Sequence, residues 1–170
     1  MTPTDDARAP WILRPIRSQD DRAVRDVIHA VMTEHGCSGE GFAIHDDEVA
    51  AMTAAYLGDD RGYFVLERGG VVAGGAGFAP LDGTPTAAGV CELRKMYFLP
   101  AARGLGLGRA MLALVLDEMR RARFRRCYLE TTSWMGAATR LYLAAGFHEQ
   151  DHAEGATGHH GCDRFFSRPL

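Results

Sequence analysis

The stretch Arg103-Gly104-Leu105-Gly106-Leu107-Gly108-Arg109 joins a strand-like run to the most regular helical pattern in the chain. Upstream, residues 90–99 read as a strand that Pro100 ends. Downstream, Leu107, Met111, Leu114, Val115 and Met119 recur along one helical face, and Arg120, Arg121 and Arg123 suit the negative end of that helix. At the start of such a helix several backbone N–H groups lack intrahelical partners, and the helix dipole is positive. Glycines remove the side chains that would keep an anion away from those donors. Each hydrogen bond to a charged phosphate oxygen contributes about 1.5–3 kcal/mol. Arg103 and Arg109 can add charge at either end of the turn. The turn is a candidate anion cradle; the alternative is a helix start whose glycines only permit close packing. A P-loop would need Gly-Lys-Ser/Thr where Gly108-Arg109-Ala110 stands, and a dinucleotide fingerprint would need glycine at Arg109 or Met111.

Working outward, residues 11–16 read as a first strand, and Ser18, three residues before Asp21, as a capping-type helix start. Val24, Val27, Ile28 and Val31 follow at helical spacing up to Gly36, and a weaker helix is expected over 47–57, ended by Gly58. Between these helices, residues 37–45 form a loop rich in glycine and acid. Residues 63–67 and 71–79 flank Arg68-Gly69-Gly70 as a hairpin, and 80–89 is a loop broken by Asp82-Gly83 and Pro85. After the long helix come a strand at 126–132, a helix at 136–145 stopped by Gly146, and strands at 147–150 and 163–169. The order β-α-α-β-β-β-α-β-α-β-β, with no repeat or linker, describes one mixed α/β (α+β) sheet domain over 11–170 after a flexible N-terminus at 1–10.

At 170 residues the chain can bury a full hydrophobic core, and its net charge of −3 implies no broad attraction to nucleic acid or to an anionic membrane. No apolar run is long enough to span a bilayer, and the acidic N-terminus lacks a signal-peptide core, so a cytoplasmic location is expected. Cys37, Cys91, Cys127 and Cys162 form no C-x-x-C pair and read as reduced, buried thiols.

The run from Glu92 through Leu-Arg-Lys-Met-Tyr-Phe-Leu-Pro-Ala-Ala to Arg103 and on to Arg109 resembles the central motif of the GNAT acetyltransferase superfamily, with Arg-x-x-Gly-x-Gly at Arg103, Gly106 and Gly108. Leu141-Tyr142-Leu-Ala-Ala-Gly-Phe147 resembles that family's L-Y-x-x-x-G-F signature, and the element order matches from about residue 12 to the end. The resemblance implies a GNAT-type acyl-CoA N-acyltransferase fold. It implies acetyl-CoA as cosubstrate, no metal, and transfer of an acetyl or short acyl group to a primary amine of a small molecule or peptide. The sheet should splay between the strands at 90–99 and 126–132, with the pantetheine arm in the gap. Backbone groups of Met96, Tyr97 and Phe98 should bond that arm, and Gly104, Leu105, Gly106, Leu107, Gly108 and Arg109 the pyrophosphate. Homodimers are common in the family. A non-catalytic acyl-CoA-binding regulatory module is the rival reading, and the intact acid and base candidates argue against it.

A lysine-like amine is neutral in only roughly one molecule in 2,500 at pH 7, so a base is needed as attack proceeds. Glu92 and Glu130 match base positions of two family branches; each could instead serve an ion pair with Arg94, Arg125 or Arg126. Tyr142 matches the family tyrosine near the CoA sulfur, a general acid, with helix packing as the alternative. Many members carry asparagine where Met135 stands; methionine cannot supply its hydrogen bonds, so Thr132, Ser133 or backbone must. The tail with His159, His160 and Cys162 matches no zinc spacing and is expected to form a loop over the acceptor side, where Trp134, His159 and residues 37–45 are further candidates for the cleft wall.

Overall fold

Two glycines with positive φ, Gly69 at 57° and Gly70 at 82°, turn β2 (Gly62–Arg68) into β3 (Val71–Pro80), the backbone a two-residue hairpin turn requires. The computed structural model describes residues 9–170. Of the N-terminal stretch expected to be flexible, residues 1–8 lie outside the described ones, while the Ala9 carbonyl accepts Arg68 Nε at 3.0 Å. β1 (Trp11–Pro15) adds antiparallel to β2, and β4 (Val90–Phe98) antiparallel to β3. β5 (Arg126–Thr131) joins β4 in parallel, and β7 (Arg164–Pro169) then pairs with both β5 and the short β6 (His148–Gln150). The sheet order is β1-β2-β3-β4-β5-β7-β6.

The helices cover both faces. α1 (Asp21–Glu34) buries Val24, Val27, Ile28, Val31 and Met32 against β3 and β4. α3 (Leu107–Arg121) packs on the other face, against β2 and β3. Its buried stripe is Met111, Leu112, Val115, Leu116 and Met119, so Leu112 and Leu116 take the place expected for Leu114, which is only half-buried. Each such side chain contributes about 1.5–3 kcal/mol on full burial. α4 (Gly136–Ala144) sets Tyr142 against Phe147 and Phe166, ring centroids 5.8 and 6.3 Å away. Cys37, Cys91 and Cys127 are buried thiols and Cys162 is half-buried.

Two local expectations are corrected. Ser18 makes no side-chain cap; the Asp20 carboxylate accepts the Arg17 N–H at 2.8 Å instead, and a 3-10 turn precedes α1. The helix expected over 47–57 is split into a 3-10 turn, Asp47–Ala50, and a single α-turn, α2 (Met52–Ala55). The Asp21 carboxylate accepts both the backbone N–H of Thr53, at 2.8 Å, and its hydroxyl, at 2.6 Å. That long-range cap starts a new helix where local propensity would have continued the old one.

β3 is rich in glycine because the aromatic rings beside it leave no room. A Cβ on Gly77 would lie 2.5 Å from the Tyr63 ring, and one on Gly74 would lie 2.3 Å from the Phe98 ring. Across that gap the Tyr63 hydroxyl donates to the Lys95 carbonyl at 2.9 Å. The bond pins β4 at an irregularity that shapes the site.

Candidate active site

β4 and β5 pair only from Val90–Arg126 to Glu92–Tyr128. Beyond Glu92, β4 stays on β3 as far as Phe98, whereas β5 stays on β7 as far as Thr131. The sheet therefore forks at Glu92, as the family resemblance implied. In the free part of β4 the register with β3 slips: Gly75 faces Tyr97 while Gly77 faces Arg94, so Lys95 and Met96 together oppose Ala76. This is a β-bulge, and Lys95 carries its unusual backbone, φ 50°. Neighbouring strand residues ordinarily point to opposite faces, yet Arg94 and Lys95 both reach Glu48, at 3.8 and 2.5 Å.

Three cavities run in series through the fork. One of about 390 Å³ is walled by Met96, Tyr97, Phe98, Arg103, Gly104, Gly108, Trp134 and Leu141. It shares Met96, Tyr97, Met135, Ala138 and Tyr142 with a narrow throat of about 60 Å³, which also holds Glu92, Glu130, Thr132, His159 and Cys162. The throat in turn shares Glu92, Arg94, Lys95 and His159 with an outer polar cavity of about 510 Å³, where Asp46, Glu48 and Asp82 stand.

At the glycine turn, Gly104 and Gly106 have φ of 75° and 77°, and a Cβ on either would meet nothing within 4 Å. The start of α3 is thus open to an approaching anion. Leu105, Gly106, Leu107 and Arg109 lie on this turn but outside the wall of the 390 Å³ cavity. Two charge expectations are revised. Arg103 donates to the Phe98 carbonyl at 2.8 Å and to both oxygens of Glu34 at 2.7 and 2.6 Å, so its charge is already paired, though in an exposed and hence weak bridge. Arg109 faces the groove between α3 and α4.

Glu92 is 2% exposed, and its Oε2 accepts Arg94 Nε at 2.6 Å. Burial raises its pKa, while Arg94 and His159 pull the other way. The ion pair weighed from sequence is therefore real for Arg94; Arg125 bonds the Ala87 carbonyl and Arg126 bonds Glu154. Glu130 Oε1 accepts the Tyr128 hydroxyl at 2.7 Å and the Thr157 hydroxyl at 3.0 Å, which fastens β5 to the loop before β7. Tyr142 is buried, and burial lifts its phenol well above the ordinary range, so it keeps its proton. Burial, with Glu130 adding, pushes the Cys162 thiol up to about 12; it is no thiolate nucleophile.

Thr132 Oγ1 is buried with no oxygen or nitrogen hydrogen-bond partner among the described residues, and only the weakly bonding Cys37 thiol lies beside it. The Ser133 N–H is taken by Asp163 at 2.7 Å, and Met135 adds only a thioether 3.8 Å from Thr131 Oγ1. A hydroxyl without an oxygen or nitrogen partner in the throat wall, a cavity running along Met96–Phe98 and an open helix start together fit a polar arm carrying a diphosphate. His159 lines both the throat and the outer polar cavity, while His160 is exposed. Among the described residues, no group of three or more His, Cys, Asp or Glu could hold a metal.

The chain belongs to the Acetyltransferase (GNAT) family, which it matches over residues 24–147. It is an acetyl-CoA-dependent N-acetyltransferase, with acetyl-CoA as cosubstrate. It is 39% identical over 160 residues to YjgM of Escherichia coli (strain K12), an uncharacterized N-acetyltransferase, covering 94% of this chain and 95% of that one. Among solved structures, yncA from Salmonella typhimurium with its cofactor acetyl-CoA superposes with a TM-score of 0.74 at 26% identity, covering 95% of each chain. A GNAT-family acetyltransferase from Staphylococcus aureus Mu50 superposes with a TM-score of 0.80 at 18% identity, covering 95% of this chain and 99% of that one. No described helix is long and apolar enough to cross a membrane.

Lys95, Asp46 and Glu48 were not among the residues singled out from sequence. The nearest signal was the loop at 37–45, which stops one residue short of Asp46.

Proposed function

We propose that the enzyme transfers an acetyl or short acyl group directly to a primary amine of a small molecule or peptide, in a ternary complex, with Glu92 as general base and Tyr142 as general acid. The observation that carries this reading is the position of Glu92. It borders both the throat and the outer polar cavity, so an amine entering from the polar side meets it on the way to Tyr142. Acetyl-CoA supplies the activated thioester when bound. Met96, Tyr97 and Phe98 would hold the pantetheine arm by their backbone, Thr132 by its hydroxyl, and the amides of residues 104–109 the pyrophosphate. Glu92 takes the proton from the attacking amine, and the Tyr142 O–H donates to the departing sulfur. With the Cys162 thiol protonated, a covalent relay through cysteine is disfavoured and direct attack remains.

Glu130 is the weaker base candidate, because Tyr128 and Thr157 already occupy one of its oxygens and Thr157, not Glu130, lines the outer cavity. A thiol-release assay over a panel of amino acids, polyamines, aromatic amines and N-terminal peptides tests the activity; no release with any member would count against it. With an accepted amine, Glu92→Gln should lower kcat by about 10²–10⁴-fold, and Glu130→Gln by less than about tenfold. Because burial raises the Glu92 pKa, the acid limb of wild-type kcat should lie above the usual carboxylate range, with rate rising as Glu92 ionises. The reverse ranking of the two variants would move the base to Glu130.

Thr132→Val tests the cofactor side. Removing a buried hydroxyl that has only a weakly bonding thiol beside it should leave the melting temperature of the free enzyme little changed, while coenzyme A affinity falls about 5–10-fold. Calorimetric titration reads the second effect, and unchanged affinity would remove Thr132 from the binding set.

A further inference from the structure

The loop between β6 and β7 is fastened at several points. The Ala156 N–H bonds the Asp82 carbonyl at 2.7 Å, the Gly161 N–H bonds the Gly41 carbonyl at 3.1 Å, and the Asp163 N–H bonds the Thr131 carbonyl at 3.2 Å. Gly161 lies flat on Phe42, where a Cβ would come within 2.5 Å of the ring. This clamp holds His159 between two carboxylates from distant parts of the chain. Its Nε2 is 3.0 Å from Asp46 Oδ2, and its Nδ1 is 3.8 Å from Glu92 Oε1. Asp46 is itself held, by Lys95 Nζ at 2.6 Å.

We propose that His159, braced by Asp46, is a positioning residue that acts on Glu92 through charge across 3.8 Å, favouring the ionised carboxylate at the mouth of the throat. The functional importance of this arrangement rests on reading Glu92 as the base. A carboxylate buried as deeply as Glu92 favours its protonated form, which cannot accept a proton from an amine. Arg94 supplies one compensating charge, through Oε2. Oε1, the oxygen left for the amine, faces His159.

Two carboxylates flank the imidazole and favour its charged form. Burial opposes that form most strongly, Asp46 and Glu92 together favour it, and Lys95 opposes it, and the net effect raises the pKa above the ordinary histidine value. Arg94, Glu48, Asp47, Asp82 and His45 share its outer cavity, and Glu130 and the Cys162 thiol border it in the throat. On the Glu92 side, Arg94 and His159 favour ionisation while burial and Glu130 oppose it. Loss of the imidazolium would therefore leave Glu92 with one cation against one neighbouring carboxylate.

The test is a carboxyl ¹³C titration of Glu92 in glutamate-labelled protein, assigned by its loss in Glu92→Gln. The same samples report the ring titration of His159. In His159→Gln, which keeps a polar side chain but no charge, the Glu92 midpoint should rise by at least about one pH unit. By reciprocity, Glu92→Gln should lower the His159 midpoint by a similar amount. This second arm needs no substitution in the loop, so it decides the matter even if His159→Gln folds poorly. A Glu92 midpoint that stays put or falls in His159→Gln would overturn the proposal, as would an unmoved His159 midpoint in Glu92→Gln. Neither measurement requires an acceptor. Full turnover of Glu92→Gln would instead refute the base assignment alone and leave the measured coupling standing.

Discussion

Gly106→Glu is expected to abolish measurable coenzyme A binding while leaving the protein folded. Gly106 is the last residue before α3, with φ 77°, and the space a side chain would enter is open. A glutamate there would put its own carboxylate over the free N–H groups at the start of the helix. Such an anion favours the helix dipole, so the fold gains part of what the left-handed backbone costs, about 1–3 kcal/mol. The same carboxylate competes with the pyrophosphate and repels it. Loss of two charge-assisted hydrogen bonds at about 1.5–3 kcal/mol each lowers affinity by roughly 10²–10⁴-fold. Calorimetric titration with coenzyme A measures the loss, and Gly106→Ala separates backbone strain from charge, since it should bind far better than the glutamate variant. Equal affinity of the glutamate variant and the wild type would mean that the diphosphate sits elsewhere.

Tyr142→Phe should lower kcat by about 10²–10⁴-fold and change coenzyme A affinity by no more than a few fold. The substitution removes one oxygen and keeps the ring that packs on Phe147 and Phe166. Stability should therefore change little. Because burial holds the phenol protonated far above neutrality, wild-type turnover should show no loss from Tyr142 ionisation across the usual assay range. A large fall in affinity with unchanged kcat would reassign Tyr142 to binding. Equal turnover would leave the departing sulfur to be protonated by solvent.

The glycine-rich start of α3 was readable because it is local. A glycine-rich helix start is made by consecutive residues, and its free N–H groups follow from backbone geometry alone. The amphipathic faces of α1 and α3 were legible for the same reason, although packing on the sheet moved the α3 stripe to include Leu112 and Leu116. Where a distant side chain intervened, local reading failed. Asp21 starts α2 at Thr53 across 32 residues, and Asp20 rather than Ser18 caps the turn before α1.

From its residues alone, this chain's element order, its glycine-rich helix start and its family motifs could be determined, because each is encoded within one element or one turn. The fork after Glu92, the bulge that brings Arg94 and Lys95 to one side, and the pairing of Arg103 with Glu34 needed the tertiary structure. So did the Asp46–His159–Glu92 arrangement, whose members come from three separate segments. The reason is physical. Burial and neighbouring charge decide whether a carboxylate can act as a base, and both depend on side chains that chain order keeps far apart.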